Sequence, residues 1–499
     1  MTDLSLFELR PPPLQFGGAA STSDPKSGLD SAGPFDLRFG AARKDAIHVG
    51  VIGPADMVDS AQKWLTRCDA GIPSFGPATS LRRPFPGFSE VYRKKLIYSA
   101  HLSIALTEAN SDPIELALSV TDAFVRFQNI IDLYDVALQR LAGRDVNRPD
   151  VVLVCLPQSV LDKCRTVERQ NTEAERERAK AIRKARASRQ TDFFDLLDEV
   201  EESEDDFLKR DLRHALKARA LAARLPIQIV TPRLLEDGPK SEDPATRAWN
   251  FSVGLYYKAG GVPWRLSPPG PETCFVGISF HHYRTKQRHI VQSSLAQAFS
   301  SEGEGFAIRG TGVPAEADQR LNVHLSEDQA YDLGMRIIAE YGARTGRSPL
   351  RLVIHKTSQF DQAEIRGFRA ALGDIPIVSL VTMVPSAFRL VRFGMYPPKV
   401  GTICTVNGAR TFVYTSGYIP EIETYPGPHI PQPFEVRSIG PEDPLAAATD
   451  IFNLTRMNWN TADIRGKWPV TLSFARRVGG ILNEYGEMDP DETSFRYFV

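Results

Sequence analysis

Apolar positions along this chain repeat with two different periods. An unbroken apolar run, AIHVGVIGP (46–54), closes at Gly53-Pro54 and predicts a buried strand. DMVDSAQKWLTRC (56–68) and the longer stretch 111–143 space their apolar residues at helical intervals, the second over a length that fits two helices or one long one. PDVVLVCLP (149–157) and LPIQIVTP (225–232) predict further strands. Strands separated by helices imply a parallel α/β sheet covered on both faces. Beyond Trp249 the rhythm changes. TCFVGISF (273–280), RHIVQSS (288–294) and EGFAIRG (304–310) are three strands with only polar breaks between them, the pattern of an antiparallel meander. A helix follows over 326–346, with Ser326 and Gln329 as a capping box and Gly346 to close it. Then come PLRLVIHK (349–356, strand), QAEIRGFRAALG (362–373, helix) and IPIVSLVTM (375–383, strand). GTICTVNGARTFVYT (401–415) predicts a hairpin turning at Asn407-Gly408, and 445–457 and 470–485 predict helices. Meander, helix, strand, helix, strand is the order of an RNase H-like domain.

This gives three regions. Residues 1–45, rich in Pro, Gly and Ser, read as an extended arm lying on the rest. Residues 46–245 form an α/β domain, and 246–499 an RNase H-like domain. The α/β domain is interrupted over about 165–212 by a charged insertion, first basic (RTVERQNTEAERERAKAIRKARASRQ) and then acidic (DLLDEVEESEDDFLKRD). It is either a solvated helical insertion or a basic helix touching a nucleic-acid backbone.

The 499 residues carry 60 Lys+Arg against 61 Asp+Glu, which excludes a uniformly basic nucleic-acid binder but leaves room for a local basic groove. The five cysteines (68, 155, 164, 274 and 404) are odd in number, lack CxxC spacing and point to a reducing compartment without a zinc site. No secretory leader and no apolar run of membrane-spanning length is visible, so a cytoplasmic protein without membrane contact is expected. GEGFAIRGTG lacks the GK[ST] of a phosphate-binding loop, and neither GxSxG nor HExxH occurs.

Two features bear on chemistry. Arg213 and Lys217 lie four apart on one helical face, Gln228 follows eleven residues later, and Lys258 stands just before Gly260-Gly261. Two cation types, an amide and a glycine pair can converge on an anion such as a phosphate, with His214 a further donor; solvated helix residues are the plain alternative. The second feature is an absence. Two-metal phosphodiester cleavage needs carboxylates on the first strand and after the fourth. Here the expected slots hold Ser279 and Lys356, and MNWN near the last helix offers only Asn458 and Asn460. The aromatic ending FRYFV predicts a buried C-terminus, whose carboxylate at Val499 needs a cation or a metal ion as partner.

GLDSAGPFD (28–36), LYYKAGGVPWRL (255–266), CFVGISF (274–280), LVIHKTSQF (352–360), MNWN…WPVTLSFARRV (457–478) and FRYFV (495–499) together resemble the short prokaryotic Argonautes, over nearly the whole chain. The resemblance implies a Rossmann-like MID domain and an RNase H-like PIWI domain. It implies a small guide RNA held by its 5′ phosphate through Arg213, Lys217, Gln228 and Lys258, with Arg213 replacing the usual tyrosine or histidine and His214 able to stand in. It also implies a structural Mg²⁺ or Mn²⁺ ligated by the Val499 carboxylate and Gln228.

Ser279 and Lys356 at two Asp positions match the catalytically inactive branch, whose members work with a separate APAZ-containing effector: a TIR or sirtuin-like NADase, or a nuclease. The implied function is guide-directed recognition of complementary single-stranded invader DNA that switches on this effector in prokaryotic defence. An active guide-directed RNase H-like nuclease is the alternative.

Overall fold

In the computed structural model the described residues are 3–498 apart from 20, 76–81, 108–111, 169–208, 239–240, 267–269, 285–289, 301–304, 315–323, 395–396, 426, 428–429, 465 and 486–493. Most of the charged insertion lies outside them. Its two edges, β8 (Thr166–Glu168) and β9 (Lys209–Asp211) as numbered below, pair as an antiparallel two-stranded ladder.

The first 45 residues are built into the protein rather than laid across it. β1 (Leu4–Glu8) joins the edge of the large C-terminal sheet. β2 (Leu14–Gln15) and β3 (Ser21–Thr22) form a small sheet with a later strand, and α1 (Pro25–Ala32) is capped by the Asp24 carboxylate. Leu14, Phe16 and Leu29 are fully buried in the main core. The expectation of a merely extended arm is thereby corrected: its few large apolar residues outweigh its Pro/Gly content, because each buries against the core.

Next comes the α/β unit. Its elements are β4 (Ala46–Gly53), α2 (Ala55–Ala70), α3 (Phe88–Tyr92), β5 (Lys95–Ile97), β6 (Ser103–Ala105), α4 (Pro113–Leu118) and α5 (Ala123–Ala142). β7 (Val151–Cys155), α6 (Gln158–Cys164), the ladder β8–β9, α7 (Leu212–Ala222), β10 (Ile227–Val230) and α8 (Pro232–Leu235) complete it. The sheet order is β10-β7-β4-β5, with β6 also on β4, and every pairing is parallel. The Val151–Cys155 run VVLVC is buried at every position, as a strand covered on both faces must be.

α9 (Pro244–Lys258) begins at the predicted domain boundary and is buried along nearly its whole length. Its residues share one core cluster with β4 of the first unit and with strands of the second. After β11 (Arg265–Leu266), the second unit contains β12 (Thr273–Arg284), β13 (Ile290–Ser300), β14 (Gly305–Pro314), α10 (Glu327–Thr345), β15 (Arg351–Lys356), α11 (Gln362–Ala371) and β16 (Ile377–Pro385). β17 (Thr402–Val406), β18 (Arg410–Val413), β19 (Phe434–Ile439), α12 (Pro444–Leu454) and α13 (Val470–Tyr485) follow. The sheet order is β1-β17-β18-β19-β16-β15-β12-β13-β14. Within it β12, β13 and β14 are antiparallel, and β15 and β16 run parallel to β12, the RNase H arrangement read from the sequence. α10 and α11 cover one face of its centre, with a core of their own. The capping box of α10 and its αL closure at Gly346 form as predicted, and Asn407 and Gly408 both have positive φ in the β17–β18 turn. All five cysteines are buried, unpaired thiols.

Candidate nucleic-acid interface

Three cations meet where the two units join. α7 starts at Asp211, whose carboxylate accepts the backbone N–H groups of Arg213 and His214 at 2.8 and 3.2 Å. One turn further on, Lys217 points toward the C-terminal segment, where its ammonium reaches the Phe498 carbonyl oxygen at 3.4 Å. Gln228 comes from β10, in a gap left by Gly254 of α9, where a Cβ would stand 3.5 Å from the amide oxygen. Lys258, the last residue of α9, is only 5% exposed and donates to Gln228 Oε1 at 2.5 Å.

Among the described residues no carboxylate pairs with Lys258. Burial first, then the positive charges of Lys217 and Arg477, hold its pKa well below the usual lysine value. Among the described residues this buried ammonium faces two further cations and one neutral oxygen, a positive environment that suits an anion. Arg477, from α13, was not singled out in the sequence. Its only signal there is its position in WPVTLSFARRV, one helix away from the motif residues.

The other predicted members divide. Arg213 is exposed on the first turn of α7, with its backbone N–H taken by Asp211, and the charges that depress Lys258 are Lys217 and Arg477 instead. His214 is half-buried and its backbone N–H is likewise spent on Asp211. The Gly260 and Gly261 N–H groups close the end of α9 on the Tyr257 and Tyr256 carbonyls, so the glycines serve the helix terminus rather than an anion. Val499 lies outside the described residues. The segment leading to it is buried as expected: Phe495 packs on Phe474 at 4.1 Å between ring centres, and the Tyr497 hydroxyl donates to the Arg224 carbonyl. Of the two ligands the resemblance implies for a divalent ion, Gln228 Oε1 already accepts from Lys258, and Val499 lies outside the described residues.

The sheet end expected to carry carboxylates is also resolved by register. Gly277 of β12 pairs with His355 of β15, and Ile278 with Lys356. Paired residues share a face, so Ser279 lies on the face of Gly277 and His355, and Lys356 on the opposite one. Ser279 and Lys356, read from the sequence as the occupants of two acidic positions, thus lie on opposite faces of the sheet: a shift of one residue along β15 reverses the face. On the Ser279 side α13 closes down hard. A Cβ on Gly277 would stand 2.1 Å from the Thr471 carbonyl oxygen, and His355 Nδ1 lies 2.9 Å from Thr471 Oγ1. Burial pushes the His355 imidazole down to about 3, so it is neutral there. On the other face the Lys356 ammonium bonds Glu364 at 2.5 Å, with both side chains almost fully buried. His324, Asp361 and Glu364 present ligand-type atoms within 4.8 Å of one another, but the Lys356 ammonium already bonds Glu364 and lies 3.5 Å from His324 Nδ1.

No protein-family model and no curated protein matches the chain. Solved structures do. Clostridium butyricum Argonaute bound to a guide DNA (5′ deoxycytidine) and a 19-mer target DNA aligns with a TM-score of 0.60 and 14% identity, over 98% of this chain and 54% of that one. Aa-Ago with externally bound siRNA aligns with a TM-score of 0.57 and 15% identity, over 99% and 56%. The fold is that of an Argonaute MID–PIWI unit. The chain spans about half the length of these two Argonautes. No helix among the described residues is long and apolar enough to cross a membrane.

Proposed function

We propose that this protein is the guide-binding, catalytically silent subunit of a prokaryotic defence complex. Its pocket takes the 5′ phosphate of a small guide RNA. The observation that carries this reading is the buried Lys258 ammonium, bonded to Gln228 and crowded by Lys217 and Arg477, with no carboxylate among the described residues paired to it. A terminal phosphate supplies negative charge there, accepting hydrogen bonds from the cations while the Gln228 amide orients Lys258. Anchored there, the guide presents its bases for pairing, and complementary single-stranded invader DNA is recognised by base pairing while the protein contacts backbone and shape. Clostridium butyricum Argonaute bound to a guide DNA and a target DNA, and Aa-Ago with externally bound siRNA, support this use of the fold.

The reading places no chemistry on this chain. The Ser279 face holds His355 and the backbone of Thr471 where a two-metal site needs carboxylates. Signalling therefore falls to a separate APAZ-containing effector, an NADase or a nuclease, whose conformational equilibrium shifts when pairing is complete. The test compares one RNA carrying a 5′ phosphate or a 5′ hydroxyl on the purified protein. The phosphorylated form is expected to bind at least ~10-fold more tightly, the worth of one charge-assisted contact set. Equal affinities refute the pocket assignment.

A further inference from the structure

β1 is an edge strand left open. It pairs with β17 on one side, and among the described residues no strand pairs with the other. The phase of that pairing decides which backbone groups are free. The Asn407 N–H donates to the Asp3 carbonyl, and the Leu9 N–H to the Gly401 carbonyl. With Asp3, Ser5, Phe7 and Leu9 turned toward β17, the alternation of an antiparallel ladder turns the N–H and C=O groups of Leu4, Leu6 and Glu8 outward.

Natural proteins protect such an edge with charge, proline, a bulge or a covering element. This one carries Leu4, Leu6 and Phe7 at 52, 62 and 46% exposure, and its one charged residue, Glu8, is held by Lys399 at 2.8 Å. Leu6 shares a face with Cys404 and Phe412 through the register. Phe388 stacks on Phe412 at 4.5 Å between ring centres and seals the inner part of that face, leaving the leucines at its rim.

The surroundings have a sign. From Ile375 to Pro420, the stretch that builds β17, β18 and the loop before them, there is no Asp or Glu, while Arg389, Arg392, Lys399 and Arg410 all fall within it. Glu435 of β19 is shared by Arg410 and Arg437, so one carboxylate faces two guanidinium groups.

We infer that β1 is a docking edge for an extended segment of a second polypeptide, apolar at alternate positions and acidic at the others, added antiparallel or parallel to β1 as a tenth strand. The outward groups of Leu4, Leu6 and Glu8 supply the main-chain bonds. The leucines supply apolar contact, and the basic neighbours select an acidic partner over a basic one. The inference rests on the proposed function only in identifying that polypeptide with the effector.

The test uses the full chain and a fluorescein-labelled peptide of alternating Val and Glu. The expected result is saturable binding that slows amide exchange at Leu4, Leu6 and Glu8 and leaves Ser5 and Phe7 little changed. Leu6→Pro removes one outward N–H and no bond to β17, and is expected to weaken binding by at least ~10-fold, as is an alternating Val–Lys peptide on the unaltered protein. A Val–Glu peptide N-methylated at alternate residues gives the same answer without altering the protein. Failure of the Val–Glu peptide to bind, or equal binding by the N-methylated form, overturns the inference. So does a concentration-dependent dimer abolished by Leu6→Pro, which makes a second copy the occupant, or weaker RNA binding by that variant, which makes it nucleic acid. Discrimination between 5′-phosphorylated and 5′-hydroxyl RNA is measured in the same samples. If it stands while the peptide fails, only this inference falls; if it is absent while the peptide binds, only the guide pocket falls.

Discussion

Replacing Lys258 by methionine separates anion binding from stability. In the free protein the ammonium is buried, faces Lys217 and Arg477 and, among the described residues, donates to Gln228 Oε1 at 2.5 Å. Burial and those two charges lower its folded pKa, so the unfolded chain binds this proton more tightly than the folded one. Stability of the free protein therefore rises as pH climbs from the depressed folded value toward the ordinary lysine value of 10.5, and the penalty is fully present below that window. Methionine keeps the volume and removes the charge. The melting temperature of the free variant at neutral pH is expected to equal or exceed that of the unaltered protein. Binding runs the other way. Truncating one partner of a buried, hydrogen-bonded charge pair costs about 2–5 kcal/mol, which is ~30- to ~5,000-fold in affinity. Fluorescence anisotropy with one RNA in 5′-phosphorylated and 5′-hydroxyl forms measures it. The phosphorylated form is expected to lose affinity on that scale and the hydroxyl form far less. An equal loss for both RNAs, or a lower melting temperature accompanying the loss, refutes the reasoning.

Other consequences concern the sheet and its covering helices. Glu364→Gln leaves the buried Lys356 ammonium without its carboxylate, 2.5 Å away in the native protein, and is expected to destabilise by about 3–5 kcal/mol in thermal unfolding. Gly277→Ala sets a methyl 2.1 Å from the Thr471 carbonyl oxygen, where only backbone can yield, and costs more than about 2 kcal/mol by denaturant titration. Ser279→Asp, assayed with guide, labelled target and Mn²⁺, is expected to cut nothing, because His355 and Thr471 supply no second carboxylate beside it. The His355 pKa, lowered from 6.5 to about 3 by burial and then by Arg351, means the unfolded chain takes up the proton first; stability is lost as pH falls from about 6.5 toward 3, and His355→Gln flattens that limb of the acid titration.

Periodicity made the order of strands and helices in both units readable, because burial on one or two faces imposes it directly on residue type. It missed β19 and the role of β1. Both are short, and their place in the sheet depends on partners far away in the chain, β16 and β17. The arm was misjudged for a related reason: composition reports the average of 45 residues, while Leu14, Phe16 and Leu29 alone determine where it sits. In the candidate site, Lys217, Gln228 and Lys258 were found through their spacing and do converge. Arg477 was not, since only tertiary packing brings α13 to that pocket. Ser279 and Lys356 show the limit at its sharpest. Their residue types were read correctly as non-acidic, but which face each occupies turns on a single-residue register.

α13 ties these observations together. Near its N-terminus Thr471 sits on Gly277 and His355, at the sheet end where an active RNase H-like domain keeps its metals. Six residues later, about 9 Å along a helix, Arg477 bears on Lys258 in the cluster of cations. Near its C-terminus Glu484 holds Arg210 on β9, at the base of the charged insertion. One rigid element thus touches the pocket, the sheet end and the insertion. The contacts at the sheet end are the tightest of the three, because backbone meets backbone with no side chain between. A helix pressed that closely cannot leave room for two hydrated metal ions without moving, and moving it shifts Arg477 relative to Lys258. On the proposed reading, the packing of α13 against Gly277 also holds Arg477 beside Lys258 before any anion arrives, and preorganisation of this kind favours tight anchoring of a guide end.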